Sequence, residues 1–112
     1  MNRFNQLPEF RKDLKKLKKY SSLQSDLSTL EQILKVSPTG IGKSFTIIHC
    51  LKEVKLIKVR LACKSLRKRS MRVIYAYHIN AKTFEYIEIY FKGNKQNEDQ
   101  NRIKEYLNKY KK

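Results

Sequence analysis

The sequence of 112 residues predicts an α+β fold. An N-terminal helical hairpin packs on a small, mainly antiparallel twisted sheet of three to five strands, and a C-terminal helix follows. Two observations carry that prediction. Apolar residues recur every three to four positions up to residue 36 and again after residue 97, the period of a helix with one buried face. Between residues 45 and 92 they alternate instead, as strands do. Helices first, then strands, then one helix is the order of a segregated α+β domain, and the length fits one domain over residues 1–112.

Residues 3–6, R-F-N-Q, are short and polar, enough for a short edge strand. Pro8 suits a first helical turn, where its missing N–H is no loss. Leu7, Phe10, Leu14 and Leu17 form the apolar stripe of that helix, with Arg11, Lys12, Lys15, Lys16, Lys18 and Lys19 between them. Ser21 followed by Gln24 has the form of a capping box. Leu23, Leu27, Leu30 and Leu34 then stripe a second helix that ends near Val36, at the stop signal S-P-T-G. The segment 37–44, S-P-T-G-I-G-K-S, ends like a phosphate-binding P-loop. It has Ser37 where that motif needs glycine and leads into a strand rather than a helix, so it reads as a connecting loop.

F-T-I-I-H-C-L, from Phe45, is rich in strand formers, and residues 52–55 turn it back. Over 56–63, Ile57, Val59, Leu61 and Cys63 point one way and Lys58, Arg60 and Ala62 the other. A long basic hairpin loop, 64–70, leads to a second alternating run. There Met71, Val73, Tyr75, Tyr77 and Ile79 share one face; Arg72, Ile74, Ala76 and His78 share the other. A turn at 80–83 opens a further strand, 84–92, completing a meander, and Gly93 and Asn94 close the sheet. Asn97, Glu98 and Asp99 suit the electropositive start of the last helix, and Lys109, Lys111 and Lys112 its end. Ile103, Tyr106, Leu107 and Tyr110 are its apolar stripe.

Lys and Arg number 26 against 10 Asp and Glu, a formal charge of +16. Such an excess favours nucleic acid, an anionic membrane or an acidic protein as partner. The cations are not evenly spread: residues 54–84 hold nine Lys or Arg and no Asp or Glu. Lysine-rich codon usage raises lysine everywhere, but it does not clear acids from one stretch. Cys50 and Cys63, both in apolar runs, read as reduced core thiols rather than a disulfide or metal pair. No apolar run has the length of a membrane span and no leader pattern is present, so the expectation is a soluble, cytoplasmic protein without membrane contact.

No metal-ligand cluster or nucleophile–base arrangement stands out, no cofactor is called for, and scarce carboxylates argue against carboxylate acid–base chemistry. His49 and His78 read as packed strand residues. Cations with aromatics remain. Lys58, Arg60 and Arg72 lie on strands that neighbour each other in a meander, and on one face they converge on one patch. Guanidinium forks there suit a phosphodiester. Tyr75, Tyr77, Tyr86, Tyr90 and Phe91 are candidates to stack bases, although Tyr75 and Tyr77 share the apolar face and read as core. Crowding by Arg60 and Arg72 is expected to lower the Lys58 pKa and make it a general base. Arg72 is expected to stabilise charge developing on phosphate. Lys64, Arg67, Lys68 and Arg69 on the loop, and Lys95 beyond the last strand, are expected to grip RNA backbone.

The order of E-F-R-K-D-L-K-K-L, a second helix, K-V-R-L, a basic hairpin, R-V-I-Y, and I-Y-F-K-G before a last helix resembles the RelE/ParE superfamily of toxin–antitoxin toxins over nearly the whole chain. The resemblance implies a toxin of a type II toxin–antitoxin system: a ribosome-dependent, metal-independent mRNA endonuclease, with the substrate's 2′-hydroxyl attacking the adjacent phosphate. It implies a cognate acidic antitoxin, ribosome and mRNA as partners, and a monomer when free. Lys58 matches the family's first strand cation, Arg60 the second (as Arg where RelE has Lys) and Arg72 the third. RelE places an Arg and a Tyr near its C-terminus as well. The nearest counterparts here are Lys92 and Lys95 after the last strand and Tyr90 within it, and the general acid stays open among them. The basic hairpin is longer than RelE's and lacks its glycine. The ParE branch shares the fold but targets DNA gyrase, so a non-nucleolytic gyrase inhibitor is the alternative, and a plain RNA-binding module a third.

Overall fold

Residues 3–40, 42–66, 69–93 and 95–110 are described by a computed structural model. Arg67, Lys68, Asn94, Lys111 and Lys112, named above, lie outside them. The change of apolar period at residue 45 marks where helix gives way to sheet. In chain order the elements are β1 (Arg3–Gln6), α1 (Pro8–Lys16), α2 (Leu23–Val36), β2 (Phe45–Cys50), β3 (Val54–Ala62), β4 (Ser70–His78), β5 (Thr83–Phe91) and α3 (Gln100–Asn108). The sheet has five strands in the order β1-β5-β4-β3-β2. The meander β2 to β5 is antiparallel, and β1 adds at the far edge, parallel to β5.

One face of the sheet carries α1 and α2. Alternation along β3 and β4 places Ile57, Val59, Leu61, Val73 and Tyr75 there, against Phe10, Leu17, Leu23, Leu27, Leu30 and Leu34. Helix α1 rests on β5 and α2 on β3, so each helix is held by its own strand. The other face carries α3, whose Ile103, Tyr106 and Leu107 bury Leu56, Ile74, Ala76 and Ile87. That helix covers the half of the face where β4 ends. The half bearing Arg60 and Arg72 is left uncovered by it.

Both ends of β5's outer edge are satisfied differently. Strand β1 pairs with residues 83–86 only. Beyond them, the Ile89 amide donates to Asp13 Oδ2 at 3.2 Å and Arg102 Nη1 donates to the Ile87 carbonyl at 3.0 Å. Arg102 and Asp13 also pair with each other at 2.7 and 3.3 Å, closing a bracket from α1 to α3 around the strand. Burial works to lower the Arg102 pKa, but hydrogen bonding to Asp13 together with the charges of Asp13, Glu88 and Asp99 raises it.

Some local expectations are corrected. The residue capping α2 is Ser22, not Ser21, and its hydroxyl donates to Asp26 at 2.7 Å instead of capping an amide. Gln24 therefore completes no capping box. Val54 and Lys55 belong to β3 rather than to a turn. Cys50 is exposed because it ends β2, the edge strand of the sheet; Cys63 is buried. In the loop after α2, Gly40 has φ +82°, and a Cβ at that position would collide with the Phe45 ring.

Candidate nucleic-acid interface

Register brings the strand cations together. Arg60 of β3 sits directly opposite Arg72 of β4, and Arg72 directly opposite Tyr90 of β5. The next row on the same face runs Lys58, Ile74, Glu88. Two like charges opposite one another destabilise a sheet. An anion between them reverses that cost. Arg72 is steadied by a 2.7 Å bond from its Nη1 to Ser70 Oγ, while Arg60 is exposed.

A groove of about 980 Å³ opens at this end of the sheet, where β3, the hairpin and the end of β5 meet. Its cations are Arg60, Lys64, Arg69, Arg72 and Lys92, and no acid lines it among the described residues. Arg69 also lies over the Phe91 ring, 5.8 Å from its centroid. The root of the hairpin is pinned to α2. Asp26, 3% exposed, accepts from the Lys64 amide at 3.2 Å. Ser22 and Ser65 exchange bonds of 2.8 and 2.9 Å through their amides and hydroxyls. Lys64 is thus carried on a fixed base. Arg67 and Lys68 lie outside the described residues.

The remaining candidates form a second group beside the groove. Lys58 Nζ donates to Glu98 Oε1 at 2.9 Å. That bond outweighs burial and raises the Lys58 pKa. The expected lowering by Arg60 and Arg72 is therefore corrected: a carboxylate from 40 residues downstream reaches the lysine first. Burial pushes the Glu98 carboxyl up, but the hydrogen bond and charge of Lys58, with hydrogen bonds from its own backbone and Gln100, together hold it below its ordinary value. Tyr90 is 5% exposed, and its hydroxyl is buried without a hydrogen-bond partner among the described residues. Burial raises its pKa, opposed by nearby Lys58. Lys95 lies 5.5 Å above the Tyr90 ring and pairs with Glu88, so it is engaged in structure rather than turned into the groove.

Sequence reasoning missed both glutamates. Glu88, 1% exposed, accepts from Lys95 and from the Asp99 amide, the latter at 2.8 Å. It anchors the segment 95–99 over the sheet. Asp99, not Glu98, caps α3, accepting from the Arg102 amide at 3.1 Å, which leaves Glu98 free to turn to Lys58. The signal that could have found Glu98 was the cap itself. With Asp99 as N-cap, its predecessor is outside the helix. The proposed stacking aromatics are mostly core: Tyr75 is fully buried and Tyr86 1% exposed, with Tyr75 Oη donating to the Pro38 carbonyl at 2.8 Å. Phe91 is the one of the five that lines the groove.

No family model matches the sequence. No curated protein matches it either. Among solved structures, the chain is similar to the archaeal RelE–RelB complex from Pyrococcus horikoshii OT3, with a TM-score of 0.62 at 19% identity. The match covers 82% of this chain and 96% of that one. The fold is RelE-like: three helices on a five-stranded sheet.

Proposed function

We propose that this chain is the toxin of a type II toxin–antitoxin pair and a ribosome-dependent, metal-independent mRNA endonuclease. The observation that carries the proposal is the Arg60–Arg72 cross-strand pair at the mouth of a groove with five cations and no acid among its described lining residues. Opposed guanidinium groups bind a phosphodiester through paired N–H bonds and remain charged throughout a reaction. Arg72, held by Ser70, stabilises the charge that grows on phosphate oxygens as the 2′-oxygen attacks. Arg60 holds the phosphate. Lys64 and Arg69 grip flanking backbone, and Lys92 closes the groove's far wall. Lys58 stays protonated at neutral pH beside Glu98 and contributes positive charge.

The RelE-like fold supports the toxin assignment, since the similar solved chain is a RelE in complex with RelB. A net charge of +16 supports an acidic protein partner, here a cognate antitoxin, and a ribosomal RNA target. No helix of the described residues is long and apolar enough to cross a membrane.

Induced expression with primer extension on a translated message tests the proposal. Wild type is expected to cut within the message, and Arg72→Ala to lose cutting by at least about 100-fold while still folding. An uncut message with inhibited supercoiling would assign the chain to gyrase instead. Undiminished cutting by Arg72→Ala would remove that residue from the chemistry.

A further inference from the structure

Cleavage by an internal 2′-hydroxyl needs a group to take the hydroxyl proton, and no carboxylate or histidine is among the described groove-lining residues. The five cations there are donors. The general base therefore has to come from beside the groove. One carboxylate stands there with an oxygen to spare. Glu98 Oε1 is occupied by Lys58 at 2.9 Å, while Oε2 carries only an exposed 3.3 Å bond from the Gln100 amide. The second glutamate of this region, Glu88, is closed off. It is 1% exposed, with both oxygens engaged by Lys95 and the Asp99 amide.

We infer that Glu98 is the general base of the proposed cleavage, with Lys58 as its positioning partner. Three placements support it. Lys58 is two residues from Arg60 on the same face of β3, about 7 Å along the strand, a gap that long side chains close. Tyr90, which faces Arg72 across the sheet, also lies in the field of Lys58, Glu98 and Glu88, so the Lys58–Glu98 pair neighbours the strand position opposite Arg72. Neither Lys58 nor Glu98 lines the groove, so a phosphate docks on Arg60 and Arg72 without breaking the pair. Glu98 is then an ionised acceptor next to bound phosphate rather than a plug in its place.

The step balances without a metal. Glu98 Oε2 takes the 2′-hydroxyl proton as the 2′-O–P bond forms and the P–O5′ bond breaks. The leaving O5′ takes a proton from water in the open groove, and Glu98 returns its own proton to the hydroxide so formed. The products are a 2′,3′-cyclic phosphate and a 5′-hydroxyl. Lys58 keeps the carboxylate ionised and aimed.

The inference rests on the endonuclease reading, and the test separates the two. Single-turnover cleavage of a message on purified programmed ribosomes is measured with wild type, Glu98→Gln and Glu98→Asp between pH 6 and 8.5. Glu98→Gln is expected to cut at least about 100-fold more slowly, and to bind ribosomes as tightly as wild type or more tightly. Glu98→Asp is expected to recover part of the rate. Wild-type rate is expected to be nearly flat over this range, since the base is already ionised. A lysine base with a raised pKa would instead make it climb about tenfold per pH unit. Glu98→Gln cutting as fast as wild type, or faster, would overturn the inference while leaving the endonuclease reading standing. A climbing wild-type profile would do the same. Failure of wild type to cut would overturn both.

Discussion

Removal of the Arg102 side chain, by Arg102→Met, tests how the outer edge of β5 is closed. Arg102 is 20% and Asp13 13% exposed at the side chain, so the pair is well shielded without being sealed. The substitution leaves the Asp13 carboxylate without its cation and the Ile87 carbonyl without its donor. A hydrogen bond to a charged partner is worth about 1.5–3 kcal/mol, and an orphaned carbonyl adds about 1 kcal/mol. Asp13 keeps the Ile89 amide, which limits the loss. The expected cost is about 3 kcal/mol, a large share of the ~5–15 kcal/mol that stabilises a domain of this size. Urea unfolding of wild type, Arg102→Met, Asp13→Asn and the double variant measures it. Asp13→Asn keeps an acceptor for the Ile89 amide and removes the charge. The two single losses are expected to sum to more than the double variant loses, by a coupling of about 2 kcal/mol. A cost below about 1 kcal/mol for Arg102→Met, or strictly additive losses, would show an ordinary solvated ion pair and refute the bracket.

Two further outcomes follow from the same charges. Lys64→Ala and Arg69→Ala together are expected to lower the slope of log affinity against log salt for RNA by about 1.4, at roughly 0.7 per cation removed, with little change in saturated cutting rate. A filter-binding titration at several salt concentrations checks it, and an unchanged slope would take both residues off the backbone. The Lys58–Glu98 pair gives a pH signature. The folded Glu98 carboxyl lies below its ordinary value, so its contribution is complete above the carboxylate range and fades as pH falls through the folded pKa. Lys58 lies above 10.5, so its contribution is complete below that value and fades as pH rises through the folded pKa. Melting temperatures of wild type and Glu98→Gln are expected to differ most between about pH 5 and 10 and to converge at both ends. A constant difference would mean that Glu98→Gln acts through packing.

The strand arrangement was legible because alternation is a local property. Leu56 to Ala62 and Met71 to His78 each sort their own side chains, and a hairpin between them sets antiparallel register with little freedom. Arg60, Arg72 and Lys58 therefore share a face on the strength of alternation alone. The helix caps were less legible. Ser21, Ser22 and Ser25 all have capping chemistry, and the choice among them depends on Ser65 and Lys64, which reach Ser22 and Asp26 from across the chain. The bracket of Asp13 and Arg102 was illegible for the same reason, since 89 residues separate its halves.

The site failed in sequence at one point that bears on its chemistry. Alternation put Lys58 on the face of Arg60 and Arg72, and crowding by those two cations was the ground for a lowered pKa. A pKa answers to the nearest charged group in space, whichever part of the chain supplies it. Glu98 lies at 2.9 Å, inside any distance at which Arg60 or Arg72 is held by strand geometry. Glu98 is there because Glu88, buried on β5, fastens the Asp99 amide, and because Asp99 takes the cap of α3. Two carboxylates spent on structure therefore deliver a third to the lysine. The scarcity of acids that argued against carboxylate chemistry has the opposite consequence in the folded chain. With only 10 acids against 26 cations, one that is half-buried against a strand lysine, two residues from Arg60, stands there against the prevailing charge pattern.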